Sequence, residues 1–111
     1  MIPRYRAWFD SEMYDKPVVY DGEFYLDWRE FENGETYDGA ILMQSTGVLD
    51  KNGKEIFEGD VVRMHSGELL PVKLHHGMFE PVCYYISNVY EGVGNVFENP
   101  ELLEHPDFRE G

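Results

Sequence analysis

The histidines offer the clearest catalytic or metal-binding chemistry in this sequence. His75 and His76 are adjacent in a predicted strand, where neighbouring side chains point to opposite faces, so they cannot bind one metal ion together. His65 and Glu80 could approach one of them, but no HExxH or His-x-His spacing supports a metal site. An imidazole beside a carboxylate would suit a small hydrolase if the two met in a concave pocket. The pattern favours surface histidines beside a turn, and we predict no catalytic residue, no metal and no cofactor.

Cys83 is the single cysteine of the chain, and it stands in the apolar run Val82–Tyr84. A reactive thiolate needs an electropositive, partly exposed setting, whereas carboxylates and apolar residues surround this position in the sequence. We therefore expect a buried structural cysteine. One cysteine also permits no intramolecular disulfide, which favours a reducing compartment.

The N-terminal segment provides a second candidate surface, which is formed by Arg4, Arg6 and Trp8. In a strand these three side chains share one face, opposite Ala7 and Phe9. A guanidinium beside an indole can bind a carboxylate or stack on a partner's ring. We take these residues as a hypothetical partner-contact face, with pairing to the protein's own acids as the alternative.

The charge is strongly negative, because 22 acidic residues stand against 9 basic ones and give a formal net charge of −13. Residues 21–38 alone hold seven acidic residues and one arginine. Such a field repels a phosphate backbone, so we expect no direct binding of nucleic acid. The charge could attract a basic partner, mimic nucleic acid to inhibit a host DNA-binding protein, or only keep the protein soluble.

The elements that would position these residues are short strands. An Asp21–Gly22 turn predicts an N-terminal hairpin, and Asn99 followed by Pro100 predicts a short helix over 99–105. The predicted strands cover residues 4–9, 18–20, 23–31, 40–45, 60–65, 69–76, 78–86 and 94–98. The predicted fold class is α+β and β-rich: short antiparallel strands in a small SH3-like barrel, plus the hairpin and the short C-terminal helix.

The segment LDKNGKEIFEGDVV, residues 49–62, contains two turn signals within fourteen residues. Asn52 and Gly53 are predicted to supply the positive-φ positions of a tight turn, and Gly59 permits a second reversal. Asp60 can accept hydrogen bonds from turn amides, while Ile56 and Phe57 anchor the segment in the core. We therefore interpret these residues as architecture and not as a ligand loop.

Three segments together resemble the YopX-like family of phage and prophage proteins of bacteria. They are RYRAWF at 4–9, LMQSTGVLDKNGKEIFEGDVV at 42–62 and GNVFENPELL at 94–103. The resemblance covers most of the chain and is loosest over residues 10–38. Ser45 stands where the family often has an aromatic residue, and residues 91–93 depart from its usual aliphatic pair.

The resemblance implies a small β-rich α+β protein of phage or prophage origin that acts inside the bacterial host cell. It implies oligomeric assembly. It identifies no catalytic residue in this chain, because no activity is established for the family. We expect one domain over residues 1–111, with strands and hairpin in 1–45, the barrel-like part in 46–98 and the helix in 99–105. No segment has the length of a membrane helix, so a cytoplasmic protein is expected. The leading hypothesis is a non-enzymatic accessory protein that binds an unidentified protein partner and self-associates.

Overall fold

The structure, a computed structural model, describes residues 4–110. Residues 1–3 and Gly111, at the ends of the predicted domain, lie outside the described residues. The protein is β-rich with few helical residues, as predicted, and it forms two compact units, residues 4–44 and 45–110. No helix in residues 4–110 is long and apolar enough to cross a membrane.

The first unit contains three antiparallel strands, a separate hairpin and one short helix. Its elements are β1 (Tyr5–Phe9), β2 (Glu12–Tyr14), β3 (Val18–Tyr20), β4 (Glu23–Tyr25), α1 (Trp28–Asn33) and the first four residues of β5 (Ile41–Leu49). β1 lies between β2 and the start of β5, with Ala7 opposite both Tyr14 and Leu42. The Ala7 side chain is fully buried, whereas the other four residues of β1 are all half-buried, so the predicted alternation of faces along this strand stays a prediction.

The predicted strand over residues 23–31 is wrong beyond Tyr25, because the chain turns there into helix α1. The Asp27 carboxylate caps this helix by accepting the Glu30 N–H at 2.9 Å. Gly34 ends the helix in the left-handed region, at φ +68°. Its backbone N–H donates to the carbonyls of Glu30 and Phe31 in the last turn. Local capping therefore overrides the alternating pattern, and Asn33–Gly34 forms the end of the helix.

The second unit contains short antiparallel strands and three 3₁₀ turns. Its strands are the end of β5, β6 (Glu55–Phe57), β7 (Asp60–Met64), β8 (Leu69–Pro71), β9 (Lys73–His75), β10 (Met78–Glu80) and β11 (Tyr90–Asn95). Strands β11, β7 and β8 form a three-stranded sheet in that order, and β9 and β10 form a separate hairpin. β6 pairs with the end of β5, which places Phe57 opposite Ser45.

The core of this unit gathers apolar side chains from β6, β7, β11 and the turns. It consists of Ile56, Val62, Met64, Val72, Val82 and Tyr90. Tyr90 is 1% exposed, and its hydroxyl donates to the Leu49 carbonyl at 3.2 Å, so its polar end is satisfied inside the core. Each such side chain stabilises the fold by about 1.5–3 kcal/mol through burial.

The 49–62 segment is organised by Asp50, for which no role was predicted. Its buried carboxylate accepts the N–H groups of Asn52, Lys54 and Gly92 at 2.8–2.9 Å. Burial raises the pKa of the Asp50 carboxyl, but these three N–H groups outweigh burial and the net direction is downward. The turn is thereby tied to β11.

The predicted double turn is present, with one difference. Gly53 and Gly59 have φ of +80° and +89°, whereas Asn52 is not in the left-handed region. Asp60 accepts the Phe57 N–H at 2.8 Å, as its position suggested. The segment is therefore architecture held by two buried aspartates, Asp50 and Asp60.

Other predicted elements of this unit are shifted or broken. The 69–76 strand is interrupted at Val72, and the 78–86 strand ends at Glu80, because Pro81 has no N–H for a ladder. The last strand is Tyr90–Asn95 and not 94–98. The predicted C-terminal helix is a 3₁₀ turn, Pro100–Glu104, without a side-chain cap from Asn99.

Candidate functional site

A concave site of about 390 Å³ lies beside the β9–β10 hairpin in the second unit. Its floor is apolar and comes from Leu70, Pro71, Leu74 and Pro81. Polar side chains converge on it, namely Lys73, His75, Glu80, Tyr84 and Glu110. A concave, mostly apolar surface with a few converging polar groups is the usual form of a ligand site.

Glu80 is the centre of the polar part of this site. Its Oε2 accepts the Tyr84 hydroxyl at 2.6 Å, and its Oε1 lies 3.4 Å from His75 Nδ1. The hydrogen bond to the Glu80 carboxylate is the main reason why the pKa of Tyr84 is raised. The histidine side chain is 60% exposed, so the pair is open to solvent, and it forms a salt bridge only when the imidazole is protonated.

The local sequence explains this arrangement. His76 and Gly77 both have positive φ, +53° and +79°, as a two-residue hairpin turn requires. The hairpin sets Met78 opposite His75, and Pro81 then leads into a 3₁₀ turn that returns Tyr84 to Glu80. The sequence analysis did not identify Tyr84, although a proline directly after Glu80 was the available signal.

The two adjacent histidines correct a geometric argument made from the sequence. Their ring centroids are 4.0 Å apart and the rings meet edge to face, because His76 lies in the turn and not in a regular strand. They therefore do not point to opposite faces. Across residues 4–110, no group of three or more His, Cys, Asp or Glu side chains is arranged to hold a metal ion.

Cys83 is exposed and not buried, contrary to the prediction. Residues 82–84 form a 3₁₀ turn in which Val82 enters the core at 2% exposure. The thiol faces a second concavity, which it shares with Met78 and Phe79, and it is not among the residues around Glu80. The carboxylate–imidazole pair therefore has no adjacent thiol nucleophile among the described lining residues.

Segment 69–89, which supplies most of the residues of this site, carries several exposed apolar side chains and no formal net charge, while Glu110 lines the site from outside the segment. Leu74, Met78, Tyr84, Tyr85 and Ile86 are 43–70% exposed, and Ile86 is the most exposed of them. Residues 69–89 contain one lysine and one glutamate, so their formal charge is +1 − 1 = 0 with neutral histidines, in a chain of −13. We call these five side chains the neutral apolar face.

Arg4, Arg6 and Trp8 lie on and just before β1 in the first unit. Arg4 is exposed, and the other two are half-buried at alternate positions of the strand. Arg6 is opposite Met43 and Trp8 is opposite Ile41 in the pairing with β5. Their role as a partner-contact face stays a prediction.

Comparison with known proteins relates most of the chain to one family. The family model described as YopX protein matches residues 8–104. The crystal structure of protein EF1440 from Enterococcus faecalis is similar with a TM-score of 0.65 and 26% identity, over 93% of this chain and 99% of that one. The crystal structure of yopX from Bacillus subtilis has a TM-score of 0.57 and 21% identity, over 90% and 97% of the two chains. This second likeness shows a shared fold. No curated protein matches the chain.

Proposed function

Because the chain belongs to the YopX protein family, we propose a function that needs no catalytic residue. The protein is a non-enzymatic accessory protein that acts by contact with a protein partner and by self-association. We further propose a phage or prophage origin, action in the cytoplasm of the bacterial host, and an SH3-like barrel for residues 46–98.

The neutral apolar face supports the self-association. Two copies that each carry −13 repel one another over most of their surfaces, but residues 69–89 carry no net charge. Large apolar side chains with 43–70% of their area exposed gain free energy when a second copy covers them. Among residues 4–110, β9 and β10 pair only with each other, so neither outer edge of this hairpin is paired with another strand, and we propose that a second copy can pair there.

Light scattering over a concentration series tests this proposal. We expect a mass that rises with concentration, and Ile86→Asp should weaken the association about tenfold or more, because it places an unpaired charge in an apolar contact. Leu103→Asp is the matched control, since Leu103 is 43% exposed in the same unit but belongs to the 3₁₀ turn 100–104. A wild-type protein that stays monomeric at every concentration, or an equal effect of both variants, would refute the proposal.

The geometry around Glu80 favours a second candidate, a small hydrolase. The observation is an imidazole 3.4 Å from a carboxylate in a concave site, with Glu80 able to orient His75 as a general base towards water. We expect His75→Gln to abolish hydrolysis of a chromogenic ester series and His76→Gln to leave most of it. Wild-type protein that does not exceed the buffer rate would eliminate this candidate. The nucleic-acid mimic stays a prediction.

A further inference from the structure

The first unit carries an exposed aromatic surface at the hairpin β3–β4 and helix α1. Phe31 lies at its centre, with ring centroids 5.1 Å from Tyr25, 5.2 Å from Trp28 and 5.7 Å from Tyr20. Tyr20 and Trp28 are 63% and 61% exposed. Two large rings are therefore held in place by a third ring while most of their own area faces solvent.

The charge around these rings differs from that of the neutral apolar face. Residues 21–38 contain seven acidic residues and one arginine, a formal charge of −7 + 1 = −6. Glu23 lies opposite Tyr20 in the hairpin, and Asp27 caps the helix that begins at Trp28. Carboxylates and aromatic rings are thus interleaved on the same two elements.

The hydrogen bonds that three of these carboxylates accept come from neutral donors. Glu23 accepts the Tyr25 hydroxyl at 3.3 Å, Asp27 accepts a backbone N–H at 2.9 Å, and Glu30 accepts the Tyr37 hydroxyl at 2.5 Å. The salt bridges Lys51–Glu91, Arg63–Asp107, His75–Glu80 and His105–Asp107 involve none of these carboxylates. This surface therefore combines two exposed rings with a segment of formal charge −6.

We propose that this aromatic–acidic surface, Tyr20, Glu23, Asp27 and Trp28 around Phe31, binds an arginine-containing segment of a protein partner. Ring faces carry negative potential, so they attract a cation as the carboxylates do. Arginine fits best, because its planar guanidinium stacks on a ring and donates to a carboxylate in a fork. The proposal rests on the proposed function, since it supplies the chemistry of the partner that the accessory protein contacts.

A labelled arginine-rich peptide is the probe, and fluorescence anisotropy measures its dissociation constant. A peptide with citrulline in place of every arginine keeps the shape and removes the charge, and a lysine-rich peptide keeps the charge and removes the planar fork. We expect binding in the order arginine, lysine, citrulline. Equal binding of the citrulline peptide would overturn the proposal.

Trp28→Ala separates ring stacking from general charge attraction, because it leaves the net charge unchanged. We expect the dissociation constant for the arginine peptide to rise roughly 2- to 5-fold. Tyr85→Ala is the matched control, a half-exposed ring on the neutral apolar face, and it should not change binding. If Trp28→Ala disturbs the fold by circular dichroism, Tyr20→Ala makes the same test from the hairpin. Unchanged binding in a folded ring variant would overturn the proposal.

These variants distinguish a failure of the proposed self-association from a failure of the proposed arginine-binding surface. Trp28→Ala should self-associate like the wild type, whereas Ile86→Asp should bind the arginine peptide like the wild type. A monomeric protein that still binds the peptide through Trp28 would refute only self-association. An associating protein that does not bind it would refute only this surface.

Discussion

Replacing Asp50 by asparagine is the sharpest test of how the second unit is held together. Oδ1 of Asp50 accepts the N–H groups of Asn52 and Lys54, and Oδ2 accepts that of Gly92. An asparagine keeps one oxygen for two of these donors, but its amide NH₂ meets the third N–H group. The change therefore removes one charge-assisted hydrogen bond and leaves a buried donor without an acceptor. We expect the free energy of unfolding to fall by about 1.5–3 kcal/mol.

The pH dependence of this loss distinguishes a carboxylate effect from a packing defect. Because the folded pKa of Asp50 is lowered, its contribution is complete above the unfolded pKa, about 3.9, and is lost as pH falls through the folded pKa. Urea denaturation followed by far-ultraviolet circular dichroism at a series of pH values measures it. The gap between wild type and Asp50→Asn should be constant from pH 7 to about pH 5 and should narrow below that.

Asp15→Asn is the matched control for this experiment, because it makes the same charge change at an exposed position. Its stability should stay within about 0.5 kcal/mol of the wild type. An Asp50→Asn variant as stable as this control, or a gap that does not change with pH, would refute the assigned role of the carboxylate.

The two turn glycines of the same segment give further predictions. Gly53→Val should destabilise the protein by about 1–2 kcal/mol through backbone strain alone, since φ is +80° and no atom lies within 4 Å of an added Cβ. Gly59→Val should cost at least as much, because its N–H donates to Val72 and its carbonyl accepts from Val96, so the φ of +89° cannot relax. Urea denaturation with Leu103→Val as control measures both, and wild-type stability in either glycine variant contradicts the double-turn account.

The helix of the first unit shows where sequence reasoning stopped. Phe24, Leu26 and Trp28 alternate as in a strand. That pattern correctly predicted that the second strand of the hairpin begins at residue 23. A helix of six residues is too short to show a helical period. The available signal was local, because Asp27 stands three residues before Glu30, a spacing typical of a helix N-cap.

The candidate site was predictable only in part. The break at Gly77 between two predicted strands was correct, and Glu80 was considered as a partner of the histidines, but His76 was placed in the strand and not in the turn. The position of Tyr84 and the exposure of Cys83 depend on which way the chain turns after Pro81, and that is decided by the burial of Val82 in the core. The residue pattern alone does not show which side chain after Pro81 becomes buried in the core.

The role of Asp50 was missed for a similar reason. Two of the three N–H groups that it accepts lie within four residues, and a turn of this kind can be inferred from sequence. The third belongs to Gly92, 42 residues further on. An added Cβ on Gly92 would lie 3.1 Å from Ile56 and 3.5 Å from the Asp50 carboxylate, so this close approach also favours a glycine. Only the fold reveals the connection.

The two proposed contacts should respond to salt in opposite directions, and this follows from where the charge lies. Salt screens the repulsion between copies that each carry −13, while the apolar attraction at the neutral face remains, so added salt should favour self-association. The same salt screens the attraction between the −6 segment at residues 21–38 and an arginine peptide, so it should weaken that binding. One titration through the ionic strength at which the Debye length is about 10 Å therefore tests both assignments in one protein sample. If both contacts strengthen or both weaken together, a single kind of surface accounts for them, and the division into a neutral and an acidic face is wrong.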